Sequence, residues 1–145
     1  MLENTHFSCL QNMYLAAPIN TIYQPDIIIS NARAEIEIEL SSKYFHSAGA
    51  VHGSVYFKML DDAAFFAANS LEQNVFVLTT SFTTYITRPI STGRLKAVGK
   101  VVNQNKSQFI VEAIAYDEKD NEIARGNGVF VRSKILLLDI KSYRK

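Results

Sequence analysis

Two adjacent carboxylates, Asp61 and Asp62, interrupt an otherwise apolar stretch of the sequence at residues 55–71. The apolar positions of this stretch surround a helix almost completely, which predicts a helix buried on nearly every side. A carboxylate in such surroundings is costly unless it is paired, so each of the two needs a partner or a function. Asp62 follows Lys58 by four residues, a spacing that predicts an ion pair along a polar stripe and a structural role.

Asp61 is the candidate catalytic residue. Phe57 and Phe65 lie one helical turn before and after it, so its predicted environment is apolar. Such an environment raises the pKa of a carboxyl group towards that of a useful general base. Helical spacing leaves an alternative equally open, in which neighbouring donors satisfy Asp61 and it has no chemical role.

His52 and Gly53 lie where a loop enters this helix. The start of a helix offers free backbone N–H groups and a partial positive charge, so it can hold an oxyanion. Gly53 has no side chain, and its N–H could polarise a carbonyl as negative charge develops on the oxygen. Two structural alternatives stay open: the glycine serves only the turn, and His52 is a loop or capping residue.

Other chemistries find little support in the sequence. The three histidines, His6, His46 and His52, show no zinc-ligand spacing, so no metal site is predicted. The glycine-rich nucleotide motifs and the GxSxG motif of serine hydrolases do not occur. The single cysteine, Cys9, cannot close an intrachain disulfide and has no catalytic signature around it, which fits a reducing compartment.

Composition excludes several classes of partner. Fifteen Lys and Arg against fourteen Asp and Glu leave a formal charge of +1, too little to attract nucleic acid or an anionic membrane. The first residues lack the positive charge that begins a signal peptide. The longest apolar run, residues 63–68, is far shorter than the roughly 20 residues of a membrane span. We therefore expect a cytoplasmic protein with a single domain.

The elements that must position these residues follow from the periodicity of the sequence. Residues 34–40 alternate apolar residues with glutamate, which predicts a strand with one buried face. Turn residues between the later strands predict an antiparallel meander. The predicted elements are a short amphipathic helix at 4–16, a short strand at 27–29, a strand at 34–40, the apolar helix at 55–71, strands at 75–87, 94–103, 108–116 and 122–132, and an extra strand in the tail at 135–140.

One strand, one buried helix and four more strands are typical of an α+β fold in which a curved antiparallel sheet wraps around a long helix. A doubly wound parallel fold is disfavoured because no repeated crossover helices follow the strands. The segment Gly49-Ala50-Val51-His52-Gly53-Ser54 is followed by Asp61-Asp62-Ala63, with an interval of nine from His52 to Asp61. These motifs resemble the signature G-x-x-H-G-G followed by Asp-x-A, which has the same interval, of hotdog-fold acyl-CoA thioesterases of the phenylacetyl-CoA thioesterase type, within the 4-hydroxybenzoyl-CoA thioesterase superfamily. The matching segments are residues 48–54, 60–64, 79–89, the turn at 92–93 and 124–131.

The resemblance covers residues 33–132, so it implies a hotdog core there, with an N-terminal helix and connection at 1–32 and a tail at 133–145. It also implies a homodimer with its active sites between subunits. The expected assembly is a homodimer at minimum, with a tetramer of two such dimers as the alternative that the sequence leaves open. In that family's pattern Asp61 is the general base or nucleophile, and Gly53 N–H of the partner subunit polarises the thioester carbonyl. His52 lies near the sulfur or orients the loop, and Thr79 positions the water.

Two residues depart from the family pattern. Ser54 replaces the second glycine of H-G-G, and His46 stands where many relatives have asparagine; both departures concern substrate placement. The resemblance implies an acyl-CoA substrate and no cofactor. The residues expected to contact the substrate are His46, Ser54, Phe57, Phe65, Tyr85 and Arg88, with Arg94 and Arg132 as further candidates for the phosphates.

The expected reaction is hydrolysis of an acyl- or aryl-CoA thioester to the free acid and coenzyme A. A protein that binds or senses acyl-CoA without catalysis is the competing class. A hotdog dehydratase is a third possibility, and it lacks support because its histidine-containing helix entry with a proline-rich flank is missing.

Overall fold

The computed structural model describes residues 3–144. Six antiparallel strands form one sheet in the order β1-β2-β4-β5-β6-β3. A long helix, α3, packs on β2, β4 and β5. The elements are α1 (Glu3–Ala16), α2 (Asn20–Tyr23), β1 (Asp26–Ser30), β2 (Arg33–Glu39), α3 (Gly53–Ser70), β3 (Val75–Ile86), β4 (Arg94–Gln104), β5 (Gln108–Tyr116), β6 (Glu122–Leu136) and α4 (Lys141–Arg144).

The predicted α+β architecture is confirmed, and so is the meander of β4, β5 and β6. β3 does not join that meander at β4. It pairs with β6 and forms an outer edge of the sheet. The short helix α2 was not predicted and lies within the connection that precedes β1.

The predicted strand at residues 135–140 is wrong. β6 continues to Leu136, and a 3-10 turn at Leu137–Asp139 leads into α4. The apolar run that suggested a strand turns the chain back towards the core instead, because Leu137 and Tyr143 are both fully buried. Tyr143 also hydrogen-bonds to the buried His6 of α1, so the two ends of the described chain meet.

α3 lies unusually close to the sheet because its inner side is lined by small residues. Ala63, Ala64, Ala67 and Ala68 are fully buried. On β4, Gly99 faces this side: a Cβ atom there would come within 2.4 Å of the carbonyl oxygen of Ala63. Only glycine permits this approach, which sets the helix directly on the sheet.

The outer side of α3 is less buried than the sequence predicted. Phe57 is 42% exposed, and Asp61 and Phe65 on the same side are half-buried. Asn69, near the end of the same helix, is fully buried and hydrogen-bonds to the backbone of residues 72, 75 and 77. It fixes the turn from α3 into β3, which then runs back along the outer side of the helix.

No helix in residues 3–144 combines the length and the apolar character that a membrane span requires.

Candidate active site

Asp61 lies on the outer side of α3, opposite the edge strand β3. The hydroxyl of Thr79 donates a hydrogen bond to its Oδ1 at 2.9 Å. Because β3 runs antiparallel to α3, Phe82 of the strand packs against Phe57 of the helix, with ring centroids 5.8 Å apart. The strand thus follows the helix from Asp61 towards its N-terminus.

The electrostatic environment makes Asp61 a stronger base than an ordinary aspartate. Burial raises its pKa from 3.8 to about 6. The hydrogen bond from Thr79 lowers the pKa, the nearby charge of Asp62 raises it and that of Lys58 lowers it, each by less than burial does. A carboxylate with a pKa near 6 is ionised at neutral pH and basic enough to accept a proton from water in a transition state.

Asp62 has a different environment from its neighbour. Lys58 Nζ lies 2.5 Å from its Oδ2, and the Tyr14 hydroxyl donates to the same oxygen at 2.7 Å. The predicted ion pair is confirmed. The ammonium group of Lys58 also lies over the rings of Tyr14 and Tyr23, at 5.4 and 5.3 Å from their centroids. Asp62 is therefore satisfied by structural partners, whereas Asp61 accepts a side-chain hydrogen bond only from Thr79 within the described range.

A cavity of about 300 Å³ opens beside Asp61. Its walls are mainly apolar and come from three parts of the chain: the N-terminal segment, α3 and the first half of β3. Sequence reasoning missed the first of these, because it predicted only a short amphipathic helix at 4–16 and placed none of its residues at the site. The lining residues are Met13, Tyr14, Ala17, Ile19, Asn20, Lys58, Asp61, Asp62, Phe65, Phe66, Phe76, Leu78 and Thr79.

The start of α3 forms a second polar centre. His52 caps the helix: its Nδ1 accepts from Ser54 N–H at 3.0 Å and lies 2.8 Å from the Ser54 hydroxyl. Within residues 3–144, Gly53 N–H donates to no acceptor and remains available. Eight residues separate Gly53 from Asp61, about 12 Å along a helix. One chain therefore does not bring the two groups together.

The family model described as the thioesterase superfamily matches residues 48–124, just over half of the chain. The chain belongs to the thioesterase superfamily. The match spans the helix start, Asp61 and Thr79, and it ends at the start of β6. The predicted family is confirmed.

Relatives of this thioesterase-superfamily chain are distant. A protein of Saccharolobus solfataricus, provisionally named an esterase, is 24% identical over 98 residues, which are 68% of this chain and 65% of that protein. The match thus spans less than two thirds of that relative's length. The Escherichia coli PaaI protein of the phenylacetic acid degradation operon superposes with a TM-score of 0.84 at 20% identity, covering 94% of this chain and 99% of PaaI.

A PaaI variant from Thermus thermophilus superposes with a TM-score of 0.73 at 19% identity, covering 80% of this chain and 99% of the other. At such identities the structural likeness establishes the fold, and it agrees with the curved antiparallel sheet around α3 described above. The predicted hotdog fold is confirmed.

Several predicted substrate contacts lie outside the cavity of this superfamily member. His46 is exposed in a turn, where its Nδ1 accepts from Ala48 N–H at 3.0 Å. Phe57 packs on Phe82 between Asp61 and the helix start. Of the three predicted aromatic residues, only Phe65 lines the cavity.

Tyr85 does not line the cavity of its own chain. It is 57% exposed and pairs across the sheet with Arg125, whereas the next residue, Ile86, pairs with the fully buried Ala124. Neighbouring residues of a strand point to opposite faces. Tyr85 therefore lies on the face of the sheet turned away from α3, and it cannot contact a group bound in the cavity of the same chain.

The three candidate arginines differ in their environments. Arg132 bonds to Glu72 at 2.7 Å and stacks on the Phe109 ring, so it has a structural role. Arg94 forms ion pairs with two acidic residues of β1 and β2. Arg88 is exposed, and its guanidinium makes no hydrogen bond within residues 3–144. The pKa of the Asp117 carboxyl group is lowered mainly by hydrogen bonds from Asn121 and in part by the charge of Arg88, so Asp117 is close enough to compete with a phosphate for that arginine. Of the three arginines, Arg88 alone makes no direct ion pair or side-chain hydrogen bond within residues 3–144, and it stays the candidate phosphate ligand.

Replacing Thr79 by valine tests its link to Asp61. The hydroxyl lowers the pKa of Asp61, so its loss should raise that pKa and move the acidic limb of the kcat/KM profile to higher pH. Thr79→Ser, which keeps a hydroxyl, serves as the matched control and should leave the limb close to the wild-type position. An unchanged limb in Thr79→Val would show that this hydrogen bond does not tune Asp61.

Proposed function

We propose that this chain hydrolyses acyl- or aryl-CoA thioesters to a free acid and coenzyme A. The supporting observation is Asp61, a half-buried carboxylate with a pKa raised to about 6 that faces a mainly apolar cavity of about 300 Å³. The cavity can take an acyl group out of water, and the carboxylate can activate the water that attacks it. Membership of a superfamily of thioesterases supports the same reaction class.

The proposed mechanism uses Asp61 as a general base. Water attacks the thioester carbonyl carbon while Asp61 takes one of its protons, and Thr79 holds the carboxylate in place through the bond to Oδ1. The carbonyl oxygen becomes an oxyanion. When the carbon–sulfur bond breaks, the leaving thiolate takes the proton back from Asp61, which restores the enzyme. Direct attack by Asp61, which would form a transient anhydride, is the alternative route.

The oxyanion needs a hydrogen-bond donor close to Asp61. The Gly53 N–H of the same chain is too far along α3 to be that donor. We propose that the donor is Gly53 N–H of a second subunit, which β3 would place correctly. β3 is an outer strand with an open edge, and Leu78 on it is 43% exposed. Such an edge readily pairs with another strand. Antiparallel pairing of β3 with its own copy would join two chains through a twofold axis.

The register of this pairing follows from two contacts within one chain. Thr79 bonds to Asp61, and Ile86 lies against Gly53. Residues 80 and 81 occupy one strand position because of the register shift after Thr79, so the midpoint between these contacts is Thr83. If the twofold axis passes beside Thr83, Thr79 of one subunit lies opposite Ile86 of the other. Asp61 then faces the helix start of the neighbouring subunit. The pairing of two such dimers into a tetramer stays a prediction.

In this arrangement the coenzyme would extend away from the cavity past the neighbouring helix start. Arg88 is the proposed phosphate ligand, because it is exposed just beyond β3 and makes no direct ion pair within residues 3–144. The hydroxyl of Tyr56 donates to the Arg88 carbonyl oxygen at 2.9 Å, which anchors this segment to the first turn of α3.

Release of free thiol from a panel of acyl- and aryl-CoAs tests the proposal. We expect turnover with at least one uncharged acyl group and no added metal or cofactor. Tight binding without thiol release would instead favour an acyl-CoA sensor. Hydration of an enoyl-CoA without thiol release would favour a dehydratase, and either result would overturn the proposed hydrolysis.

A further inference from the structure

The N-terminal segment supplies a large share of the cavity beside Asp61. Five of its thirteen lining residues precede β1, and all five lie before residue 48, where the superfamily match begins. This part of the wall therefore lies outside the segment that the superfamily model matches. The five residues are Met13, Tyr14, Ala17, Ile19 and Asn20.

Polar contacts hold this segment against α3 at a fixed distance. The Tyr14 hydroxyl donates to Asp62 at 2.7 Å, and Asp62 is in turn held by Lys58. The Tyr14 ring packs edge-on against Phe66, with centroids 4.9 Å apart. Asn20 donates to the Tyr14 carbonyl oxygen at 2.8 Å, so the connection after α1 is tied to the same point.

The cavity also limits what can enter it. Its volume of about 300 Å³ corresponds to about ten groups of water size at about 30 Å³ each. Asp61 and Asp62 both border it, so an acyl group with its own carboxylate would meet like charges in a poorly solvated space. About ten heavy atoms of an uncharged chain or ring can therefore lie inside the cavity, which is open to solvent on one side.

We propose that α1 selects the acyl group: Met13 and Tyr14 form the wall that limits its length, and the bond from Tyr14 to Asp62 keeps this wall in place. The proposal rests on the hydrolysis proposed above and adds its specificity-determining residues. Met13 is the more direct test because its unbranched side chain is 6% exposed and can be shortened or exchanged without removing a polar contact.

Two substitutions of Met13 should shift the acyl preference in opposite directions. Met13→Ala removes three heavy atoms from the wall, so the best substrate should be about two carbons longer. The ratio of kcat/KM for that substrate to kcat/KM for the wild-type optimum should rise at least about ten-fold. Met13→Phe puts a rigid ring in the same place and should shift the optimum to shorter chains. The readout is kcat/KM across a saturated acyl-CoA series from two to sixteen carbons.

Tyr14→Phe tests the hydrogen bond that ties α1 to Asp62. It keeps the ring and removes the hydroxyl that donates to Asp62, so α1 should be held less firmly. We expect a broader chain-length profile, with KM raised more than kcat is lowered, because positioning of the acyl group is lost while Asp61 and Thr79 remain.

Leu10→Ala is the matched control on the same helix. Leu10 is fully buried but does not line the cavity, so this variant should lower the thermal midpoint and leave the preferred chain length unchanged. If the wild type hydrolyses acyl-CoAs and both Met13 variants keep its profile, the selection by α1 is wrong and the hydrolysis stands. If the wild type releases no thiol from any acyl-CoA, both proposals fall.

Discussion

Asp61→Asn should lower kcat for thioester hydrolysis by at least about a hundred-fold, within the usual range of 10² to 10⁴ for loss of a general base. The amide has nearly the same shape, and its oxygen can still accept the hydrogen bond that Thr79 donates to Oδ1. What it loses is the ability to take a proton from water. The measurement is thiol release under saturating substrate, with the oligomeric state checked by light scattering. Turnover equal to the wild type would exclude Asp61 as base or nucleophile.

The wild type and Asp61→Asn should also differ in how kcat/KM depends on pH. Since the pKa of Asp61 is raised to about 6, the basic form predominates above that pH. The kcat/KM of the wild type should therefore rise with pH through about 6 and then level off. The residual activity of Asp61→Asn should lack this limb, which separates titration of Asp61 from titration of the substrate or of other groups.

The free energy of unfolding of the wild type and of Asp61→Asn shows whether the variant is folded. Asp61 binds its proton more tightly in the folded chain than in the unfolded one, because its pKa rises from 3.8 to about 6 on folding. Between about pH 4 and pH 6 the folded state holds more protons, so wild-type stability falls as the pH rises through this window. Asp61→Asn avoids this cost and should be the more stable protein at pH 8, by about 1 to 2 kcal/mol in urea unfolding. At pH 4 the difference should largely vanish.

Local patterns predicted much of this site. The spacing of Lys58 and Asp62 on a helix predicted their ion pair, because residues four apart are neighbours on any α-helix. The apolar flanks of Asp61 likewise predicted the raised pKa, since burial dominates the shift. Such inferences need only the geometry of a single helix, which the sequence specifies well.

The face of the sheet on which each side chain of β3 lies was harder to predict. β3 contains a register shift between Thr79 and Ser81, where one extra residue interrupts the pairing with β6. Uninterrupted alternation would place Thr79 and Tyr85 on the same face. The bulge reverses the later part of the strand, so that Phe82 and Ile86 face α3 and Tyr85 faces away. Nothing in the local residue types marks that irregularity.

The contribution of α1 to the cavity was missed for a related reason. The apolar spacing around Tyr14 predicts which side of the helix is buried, and Tyr14 is indeed buried. It does not predict what that side meets. The contact with Asp62 joins residues 48 positions apart, and only the packing of α1 across the outer side of α3 brings them together.

Gly53→Pro should lower kcat by about 10² to 10³, the usual cost of losing one oxyanion donor. The backbone at this position already suits proline. Gly53 is the first residue of α3, where proline is favoured because its missing N–H has no partner in the helix. The preceding residue, His52, has φ −62° and ψ 143°, which a following proline tolerates. The backbone should therefore keep its conformation while the donor is removed.

Gly53→Ala is the matched control, since it keeps the N–H. Its added Cβ would lie 3.2 Å from the end of the flexible Ile86 side chain, a contact that a small shift relieves. We expect kcat within about a few-fold of the wild type for alanine and the full loss only for proline. Equal losses in the two variants would mean that the space around Gly53, and not its N–H, matters for turnover.

Mixing the two inactive variants tests whether the donor comes from the neighbouring subunit. A dimer of one Asp61→Asn chain and one Gly53→Pro chain contains one site with both defects and one with neither, provided that each site combines Asp61 of one subunit with Gly53 of the other. Random pairing after co-refolding should then restore about a quarter of wild-type activity. If each chain used its own Gly53, every site in the mixed dimer would carry one defect and no activity would return. Recovery on mixing therefore reports the shared site directly, because neither variant can supply both groups alone.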